Sequence, residues 1–267
     1  MESQQLDSIL QNALHVVGRA VDFLREQRSG FSVDAVEFKG FNDLVSYVDK
    51  GSESILVEGL QHLIPDAGFI TEENTLTLLG RDWLWIIDPL DGTTNFVHNI
   101  PCYCVSVGLM YQGDLVLGIV HEVNQGECFY GRKGGGVMMN GVPVKVSDTS
   151  LLRHALFATG FPYTNFSRME PYMRVFDFTM RNSQGVRRLG SAAVDLAYVA
   201  CGRLEGFWEY GLNPWDVAAG AFLVKEAGGK VADFSGGDEF VFGAEIVACN
   251  NKLYAEFQKV LATNFAS

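Results

Sequence analysis

The sequence predicts an α/β fold in which strands are packed between layers of helices. Stretches with apolar residues at three- and four-residue steps, typical of amphipathic helices, alternate with short apolar runs typical of buried strands. The chain has 267 residues, enough to bury a substantial core. No linker, repeat or low-complexity segment divides it. We therefore expect a single domain over residues 1–267, built from two fused α/β halves at roughly 1–150 and 151–267.

The first half predicts two helices and then a run of strands. One helix spans Leu6 to Leu24, and a second begins near Asp49 and ends at Pro65, which cannot continue a helix. Two of the strands flank Gln112-Gly113-Asp114, a hairpin signal, and Asn140-Gly141 indicates a tight turn. The predicted strands are Gly68–Thr71, Trp83–Ile87, Cys104–Met110, Leu115–Val120 and Gly126–Gly131.

The second half predicts strands and helices in alternation. Gly202 and Gly228 each close a helix, because glycine readily adopts the left-handed conformation found there. Asn213-Pro214 combines an N-cap with proline at the first helical position, which predicts a helix start just before Asp216. The predicted strands are His154–Ala158, Gly185–Leu189, Gly206–Tyr210 and Glu245–Ala248, and the helices are Glu170–Met180, Ser191–Cys201, Asn213–Ala227 and a last one from Leu253.

Composition and charge argue against several classes of protein. Hydrophobic residues make up 48% and charged residues 19%, the balance of a globular enzyme rather than of a disordered chain. The 32 acidic and 20 basic residues give a net charge of −12, so direct binding to nucleic acid is not expected. We see no signal peptide and no apolar stretch long enough to cross a bilayer. Five cysteines without zinc-site spacing indicate reduced thiols, and we expect a cytoplasmic protein without a membrane partner.

The most informative segment is Asp88-Pro89-Leu90-Asp91-Gly92-Thr93-Thr94-Asn95-Phe96, which follows the apolar run Trp83–Ile87. Its two carboxylates, three residues apart at the end of a buried strand, would repel each other unless cations lay between them. Gly92, Thr93 and Thr94 offer backbone amides and hydroxyls suited to an oxyanion. This combination predicts metal-dependent phosphate chemistry. Oxygen ligands without a histidine cluster favour magnesium over zinc.

This segment resembles the first signature of the inositol monophosphatase family of magnesium-dependent, lithium-sensitive sugar phosphatases. Trp215-Asp216-Val217-Ala218-Ala219-Gly220 resembles the second signature. Lys39 to Asp49, Thr71-Glu72-Glu73 and Gly190-Ser191-Ala192-Ala193 follow in the family's order. The resemblance covers nearly the whole chain. It implies an alternating α/β/α/β/α sandwich, a homodimer and a small-molecule phosphate monoester as substrate.

The resemblance also implies two magnesium ions held by carboxylates from distant parts of the chain. Glu72, Asp88 and the backbone carbonyl of Leu90 would hold the first ion. Asp91 and Asp216 would complete the second, to which Asp88 forms a bridge. Glu72 is also a candidate to contact a third, weaker ion through water.

Catalytic and substrate-binding residues follow from the same resemblance. Asp49 and Thr93, together with Glu72, would orient a metal-bound water for in-line attack on the phosphorus atom. The backbone at the start of a helix would contact the substrate, and Glu209 would accept hydrogen bonds from sugar hydroxyls. The implied substrate-binding residues are Leu90, Asp91, Gly92, Thr93, Gly190, Ser191, Ala192, Glu209 and Asp216.

Each of these residues also has a simpler structural interpretation. Asp88 and Asp91 could cap a turn, in which aspartate is common. Asp49 and Asp216 could serve only as residues of a first helical turn, and Glu209 could be a surface glutamate. The ordered set as a whole favours a magnesium-dependent phosphomonoesterase that hydrolyses myo-inositol monophosphate or a close polyol phosphate.

Other functions stay open. Within the same fold, fructose 1,6-bisphosphate and 3′-phosphonucleotides are alternative substrates. A phosphatase of the haloacid dehalogenase type, which forms an aspartyl-phosphate, needs two aspartates separated by one residue, whereas two residues separate Asp88 and Asp91. A regulatory binding protein that kept the fold without catalysis is a third possibility, since some bacterial members of the family are associated with the transcription machinery.

Overall fold

Helices and sheets alternate in five layers in the computed structural model, which describes residues 3–30, 36–40, 43–73 and 80–265, with side chains left out for 36–46. The α/β/α/β/α sandwich expected from the sequence is confirmed. The helices are α1 (Ser3–Gly30), α2 (Tyr47–Leu63), α3 (Thr93–Val97), α4 (Met169–Asn182), α5 (Ala192–Ala200), α6 (Pro214–Glu226) and α7 (Tyr254–Phe265). The strands are β1 (Val36–Gly40), β2 (Asp43–Ser46), β3 (Gly68–Thr71), β4 (Trp83–Asp91), β5 (Cys104–Tyr111), β6 (Asp114–Glu122), β7 (Glu127–Arg132), β8 (Val137–Met139), β9 (Val142–Val144), β10 (Leu156–Thr159), β11 (Gly185–Arg187), β12 (Gly206–Tyr210), β13 (Lys230–Ala232) and β14 (Glu245–Cys249).

The first two layers are the helix pair α1 and α2 and the larger sheet beneath it. The strands of this sheet run in the order β3-β4-β5-β6-β7-β8-β9, with only the β3–β4 pair parallel. Apolar residues of α1 recur at helical spacing, so Val17, Val21 and Leu24 are fully buried. They belong to one apolar cluster with Phe69 and Trp85 of the sheet. This packing fixes β3 and β4, whose ends carry the acidic residues of interest.

The central layer consists of α5 and α6, which lie between the two sheets. Both helices are apolar on nearly all sides, and every residue from Val217 to Val224 of α6 is buried. Glycines in the larger sheet allow the close approach. A Cβ atom on Gly118 would lie 2.7 Å from the carbonyl oxygen of Ala219, which is closer than real atoms approach. The helix α6 is thereby held close against the larger sheet.

The remaining layers are the smaller sheet and the helices α4 and α7 on its outer face. Its strand order is β11-β10-β12-β14-β13. A cluster of large side chains, including Phe157, Trp208 and Phe257, joins this sheet to α7. The strands β10 and β12 are parallel and adjacent. Their carboxyl ends therefore meet at one edge of the sheet, where Gly160 and Glu209 face each other.

Most predicted elements are confirmed, with differences in the bounds of some strands and in the short elements. The strand predicted over Trp83–Ile87 continues to Asp91, and the strand predicted from His154 begins only at Leu156, because 152–154 form a 3-10 turn. The short elements β1, β2, α3, β8, β9 and β13 were not predicted, since three to five residues are too few to show a period. Asn140 and Gly141 have φ of 49° and 82°, which confirms the predicted tight turn between β8 and β9.

Within the described residues, no helix combines the length and the apolar character needed to span a membrane. The five cysteines, all of which are described, form no disulfide, and Cys104 and Cys249 are buried in the core. Burial raises the pKa of the Cys104 thiol well above its ordinary value, and the nearby Asp91 acts in the same direction. These thiols are therefore protonated packing groups at neutral pH.

His121 on β6 should make the fold sensitive to mild acid. Burial lowers the pKa of His121 from 6.5 to about 4, and the positive charge of Arg25 adds to this effect. Because the unfolded chain binds a proton more readily between these values, the free energy of unfolding should decrease by at most about 3 kcal/mol as pH falls from about 6.5 to about 4. Urea unfolding at pH 7.5 and at pH 5.0 measures this decrease.

The variant His121→Gln isolates this contribution from that of the carboxyl groups, which titrate in the same range. Its free energy of unfolding should decrease less between the two pH values than that of the parent. His154→Gln is the matched control, because His154 is exposed in the 3-10 turn before β10, and it should follow the parent. Parallel pH curves for His121→Gln and the parent would contradict the prediction.

Candidate active site

A cavity of about 520 Å³ lies where strand ends from both sheets meet the first turns of α3, α5 and α6. Every residue that the sequence proposes for the site lines this cavity, except Asp49, which lies directly behind Thr93. Segments more than a hundred residues apart in the chain are thus brought together. The lining residues from the sequence prediction are Glu72, Asp88, Leu90, Asp91, Gly92, Thr93, Gly190, Ser191, Ala192, Glu209 and Asp216.

A bulge at the end of β4 orients the two aspartates of the first motif. Asp88 is paired with Ser106 and Asp91 with Cys104, so β4 has one residue more than β5 over this interval. The Asp88 carboxylate accepts a hydrogen bond from the backbone N–H of Leu90 at 3.0 Å. The Ser52 hydroxyl donates to the carbonyl of Pro89 at 2.8 Å. These bonds hold the bulged backbone and direct the Asp88 side chain into the cavity wall, with 2% of it exposed.

Gly92 links this bulge to α3 and cannot be replaced without strain. Its φ is 92°, in the left-handed region, and an added Cβ would lie 3.0 Å from the carbonyl oxygen of Cys102. The chain then turns into α3, which places the Thr93 hydroxyl 3.0 Å from the carbonyl oxygen of Leu90 and 3.2 Å from Oδ1 of Asp49. Asp49 belongs to the first turn of α2 and is 1% exposed.

Asp91 is held by the first turn of α5. Its Oδ2 accepts hydrogen bonds from the Ser191 hydroxyl at 2.7 Å and from the backbone N–H of Ala193 at 2.8 Å. The same Ser191 hydroxyl caps the helix by accepting from the N–H of Val194. Burial raises the pKa of the Asp91 carboxyl, and these hydrogen bonds and Arg188 oppose the rise. The helix start therefore fixes a carboxylate from the other half of the chain.

Asp216 occupies the third position of α6, as the sequence predicts. Its Oδ2 accepts a hydrogen bond from the backbone N–H of Asn213 at 2.6 Å, which is one half of a capping box. Burial raises the pKa of Asp216 to about 7, and repulsion from Asp91 acts in the same direction. A residue that begins a helix is thus also part of a crowded acidic cavity.

Glu209 is a buried residue at the end of β12, and the interpretation as a surface glutamate is wrong. Only 7% of it is exposed, because β10 lies directly beside it. A Cβ atom on Gly160 would lie 2.1 Å from one carboxylate oxygen of Glu209, so glycine is required there. Burial raises the pKa of Glu209 well above its ordinary value, as does repulsion from Asp216, while Arg188 lowers it.

The cavity is strongly acidic. Seven carboxyl groups line it, and among the described residues Arg188 is the cation on its wall. Burial raises the pKa of Glu72 and of Asp88 well above their ordinary values, and their acidic neighbours add to the effect. An anionic ester would be repelled by this wall as it stands, so a cation is needed to reverse the local charge. The seven groups belong to Glu72, Glu73, Asp88, Asp91, Asp195, Glu209 and Asp216.

The donor chemistry fits magnesium. The wall offers carboxylate, hydroxyl and backbone carbonyl oxygens, and no histidine or cysteine within the described residues lines the cavity. A bound divalent cation would relieve the mutual repulsion among these buried carboxylates. Within the described ranges, however, no three acidic, histidine or cysteine side chains are already gathered in an arrangement that holds a metal. The fit therefore rests on the type of donor and on the shared cavity.

Sequence reasoning missed several residues of the cavity wall. Asp195 lies four residues after Ser191, on the same face of α5, and this spacing alone was a usable signal. Arg188 and Gly160 follow strands of the smaller sheet, and only the order of the strands in this sheet brings them to the cavity. Lys39 lies in β1, but its side chain falls outside the described part of the chain.

Comparison with known proteins identifies the family to which this chain is similar. The model of the inositol monophosphatase family matches residues 5–266. An inositol-1-monophosphatase from Synechocystis is 40% identical over 232 residues, which cover 86% of this chain and 81% of that protein. The protein named Nus factor SuhB from Pseudomonas aeruginosa is 38% identical over 254 residues, 93% of this chain and 94% of its own.

A solved structure extends the similarity to three dimensions. The extragenic suppressor protein suhB from Bartonella henselae superposes with a TM-score of 0.90 at 35% sequence identity, covering 95% of this chain and 98% of that structure. The chain belongs to the inositol monophosphatase family.

Proposed function

We propose that the chain is a magnesium-dependent phosphomonoesterase that hydrolyses myo-inositol monophosphate or a close polyol phosphate. The observation that carries the proposal is the convergence of seven carboxyl groups on one cavity that also contains both signature segments. Membership of the family supports hydrolysis of a phosphate ester. The Synechocystis relative is named for inositol-1-monophosphate, which supports the choice of substrate.

Most of the proposed metal ligands are buried carboxylates, whose mutual repulsion a bound cation would reduce. Glu72, Asp88 and the carbonyl of Leu90 would hold one ion, and Asp91 and Asp216 would hold the other, with Asp88 shared. Magnesium, when bound, supplies positive charge for the ester and lowers the pKa of water. The protein's part is to keep these oxygens in place, which the hydrogen bonds from Leu90, Ala193 and Asn213 do.

Thr93 and Asp49 are proposed to orient the attacking water. The Thr93 proton is shared between the Leu90 carbonyl and the Asp49 carboxylate, so the lone pairs of its hydroxyl oxygen stay available to a water molecule. Asp49 is buried and can accept this proton without competition from solvent. Glu72, directly after β3, lines the same cavity.

The decisive experiment measures phosphate release from inositol, sugar and nucleotide monophosphates during a magnesium titration. We expect release from myo-inositol 1-phosphate that requires magnesium and is inhibited by lithium. Full activity in the presence of a chelator would reject the proposal. A preference for fructose 1,6-bisphosphate or a 3′-phosphonucleotide would keep the chemistry and change the substrate. A trapped phosphoenzyme would instead favour covalent catalysis by an aspartate.

Gly160→Ala should weaken binding of the alcohol part of the substrate. The added methyl group would collide with the Glu209 carboxylate and push it from its place beside β10. We expect KM for myo-inositol 1-phosphate to rise about tenfold, the cost of one hydrogen bond to a charged group, with a small change in kcat. Gly18→Ala is the matched control, because its methyl group meets no atom within 4 Å. An unchanged KM in Gly160→Ala would refute the placement of Glu209 at the substrate.

A role as a regulatory factor is a second proposal, supported by the name of the Pseudomonas aeruginosa relative, Nus factor SuhB. The net charge of −12 favours contact with a protein over direct contact with nucleic acid. Co-purification of a macromolecular partner by a form of the chain without phosphatase activity would support this role. Measurable turnover together with the absence of any partner would reject the regulatory role, and the phosphatase function would be the remaining proposal.

A further inference from the structure

Asp195 is a buried carboxyl group of the cavity wall that the proposed chemistry does not use. It lies one turn into α5, four residues after the N-cap Ser191, and only 1% of it is exposed. It lines the same cavity as the acidic cluster. Its Oδ1 has no hydrogen-bond partner among the described residues. Leaving such an acceptor unpaired lowers the free energy of unfolding, and a ligand with a hydrogen-bond donor would recover this loss.

The charges around Asp195 indicate which donor fits. Burial raises the pKa of Asp195 well above its ordinary value. The negative charges of Glu209 and Asp91 add to this rise, and the positive charge of Arg188 opposes it. A phosphate oxygen is an acceptor and would add a further negative charge, so it does not fit this position. A hydroxyl group carries no charge and donates a hydrogen bond, so it does fit.

The position of Asp195 in the cavity agrees with this assignment. The residues proposed to hold cations and phosphate come from the ends of β3 and β4 and the start of α6. Asp195 lies on α5, which packs against β12, the strand that carries Glu209. Asp195 and Glu209 are therefore two nearly fully buried carboxyl groups on the side of the cavity formed by α5 and β12.

We propose that Asp195 is a specificity-determining residue that accepts a hydrogen bond from a hydroxyl group of the substrate's polyol part. The inference rests on the proposed phosphatase function and extends it. It predicts that the enzyme discriminates esters of polyhydroxylated alcohols from esters whose alcohol has no further hydroxyl group.

The test compares two substrates in the parent and in Asp195→Leu, which keeps the branched shape of the side chain and has no acceptor. For myo-inositol 1-phosphate, kcat/KM should fall about 10- to 100-fold, mostly through KM. For 4-nitrophenyl phosphate, whose alcohol has no other hydroxyl, kcat/KM should change by less than about threefold. Asp195→Asn, which keeps an acceptor oxygen, should show a smaller fall, and it replaces Asp195→Leu if that variant does not fold.

A binding measurement separates failure of this inference from failure of the proposed function. With magnesium present, free myo-inositol should raise the Tm of the parent and not that of Asp195→Leu, whereas inorganic phosphate should raise both. Equal falls in kcat/KM for the two esters, or no fall for either, would overturn the inference. If the parent cleaves neither ester, the proposed function is wrong, and an inositol effect on Tm that is equal in parent and variant would reject the role of Asp195 as well.

Discussion

Asp88→Asn should slow phosphate release about a thousandfold while making the metal-free protein more stable. The substitution removes the carboxylate proposed to be shared by both cations, at a cost to transition-state stabilisation of about 4 kcal/mol, or ~10³-fold in kcat. The asparagine Oδ1 can still accept the hydrogen bond from the Leu90 N–H, so the bulge at the end of β4 is retained. Loss of activity would then reflect charge and not misfolding.

The gain in stability follows from the electrostatics of the buried cluster. Burial raises the pKa of Asp88 well above its ordinary value, as do the carboxylates of Glu72, Asp91 and Asp216. A raised folded-state pKa means that the stability contribution of Asp88 is present at low pH and is lost as pH rises through that pKa. Asparagine removes this loss, so the Tm of the metal-free variant should exceed that of the parent at pH 8, and the difference should vanish near pH 4.

Two measurements decide this prediction: phosphate release at saturating magnesium, and thermal unfolding in the presence of a chelator. Asp177→Asn is the control, because this exposed aspartate forms an ion pair with Arg181 on α4, outside the cavity wall. It should change neither turnover nor the pH dependence of Tm to a comparable extent. Turnover of Asp88→Asn within tenfold of the parent would remove Asp88 from the proposed cation site.

How much of this site the sequence predicts depends on whether its residues lie in one continuous segment. Asp88, Asp91 and Thr93 belong to a nine-residue motif, and Asp216 belongs to a six-residue one, so each position could be identified locally. Both segments line the cavity. The helix start at Asn213-Pro214 is equally local, and the structure confirms it at the predicted place.

The rest of the site depends on contacts that no local pattern encodes. Gly160 and Glu209 are 49 residues apart, and they meet because β10 and β12 are neighbours in the smaller sheet. The same sheet order explains why Glu209 is buried, although its position in the sequence is compatible with the surface. The end of β4 differs from the prediction for a related reason, since pairing with β5 continues past Pro89 through a bulge.

Asp49 and Thr93 should act as one catalytic unit. The Asp49 carboxylate lies 3.2 Å from the Thr93 hydroxyl, and the structure places no other described carboxylate in hydrogen-bond contact with that hydroxyl. Proton transfer through a positioned group contributes about 10²–10⁴-fold to a rate. We therefore expect Thr93→Ala and Asp49→Asn each to lower kcat by about 10²- to 10³-fold, with little change in KM, because neither side chain is proposed to hold the alcohol.

The double variant distinguishes a unit from two independent residues. If the Asp49 charge acts only by polarising the Thr93 hydroxyl, removing both groups should cost no more than removing the more important one, as expected for residues that act together. Independent roles would instead multiply to a loss of about 10⁴- to 10⁶-fold. Thr93→Ser is the matched control, since it keeps the hydroxyl and should retain kcat within about tenfold. Because Asp49 is 1% exposed and lies behind the cavity wall, a multiplicative loss would show that it serves the reaction by a route other than Thr93.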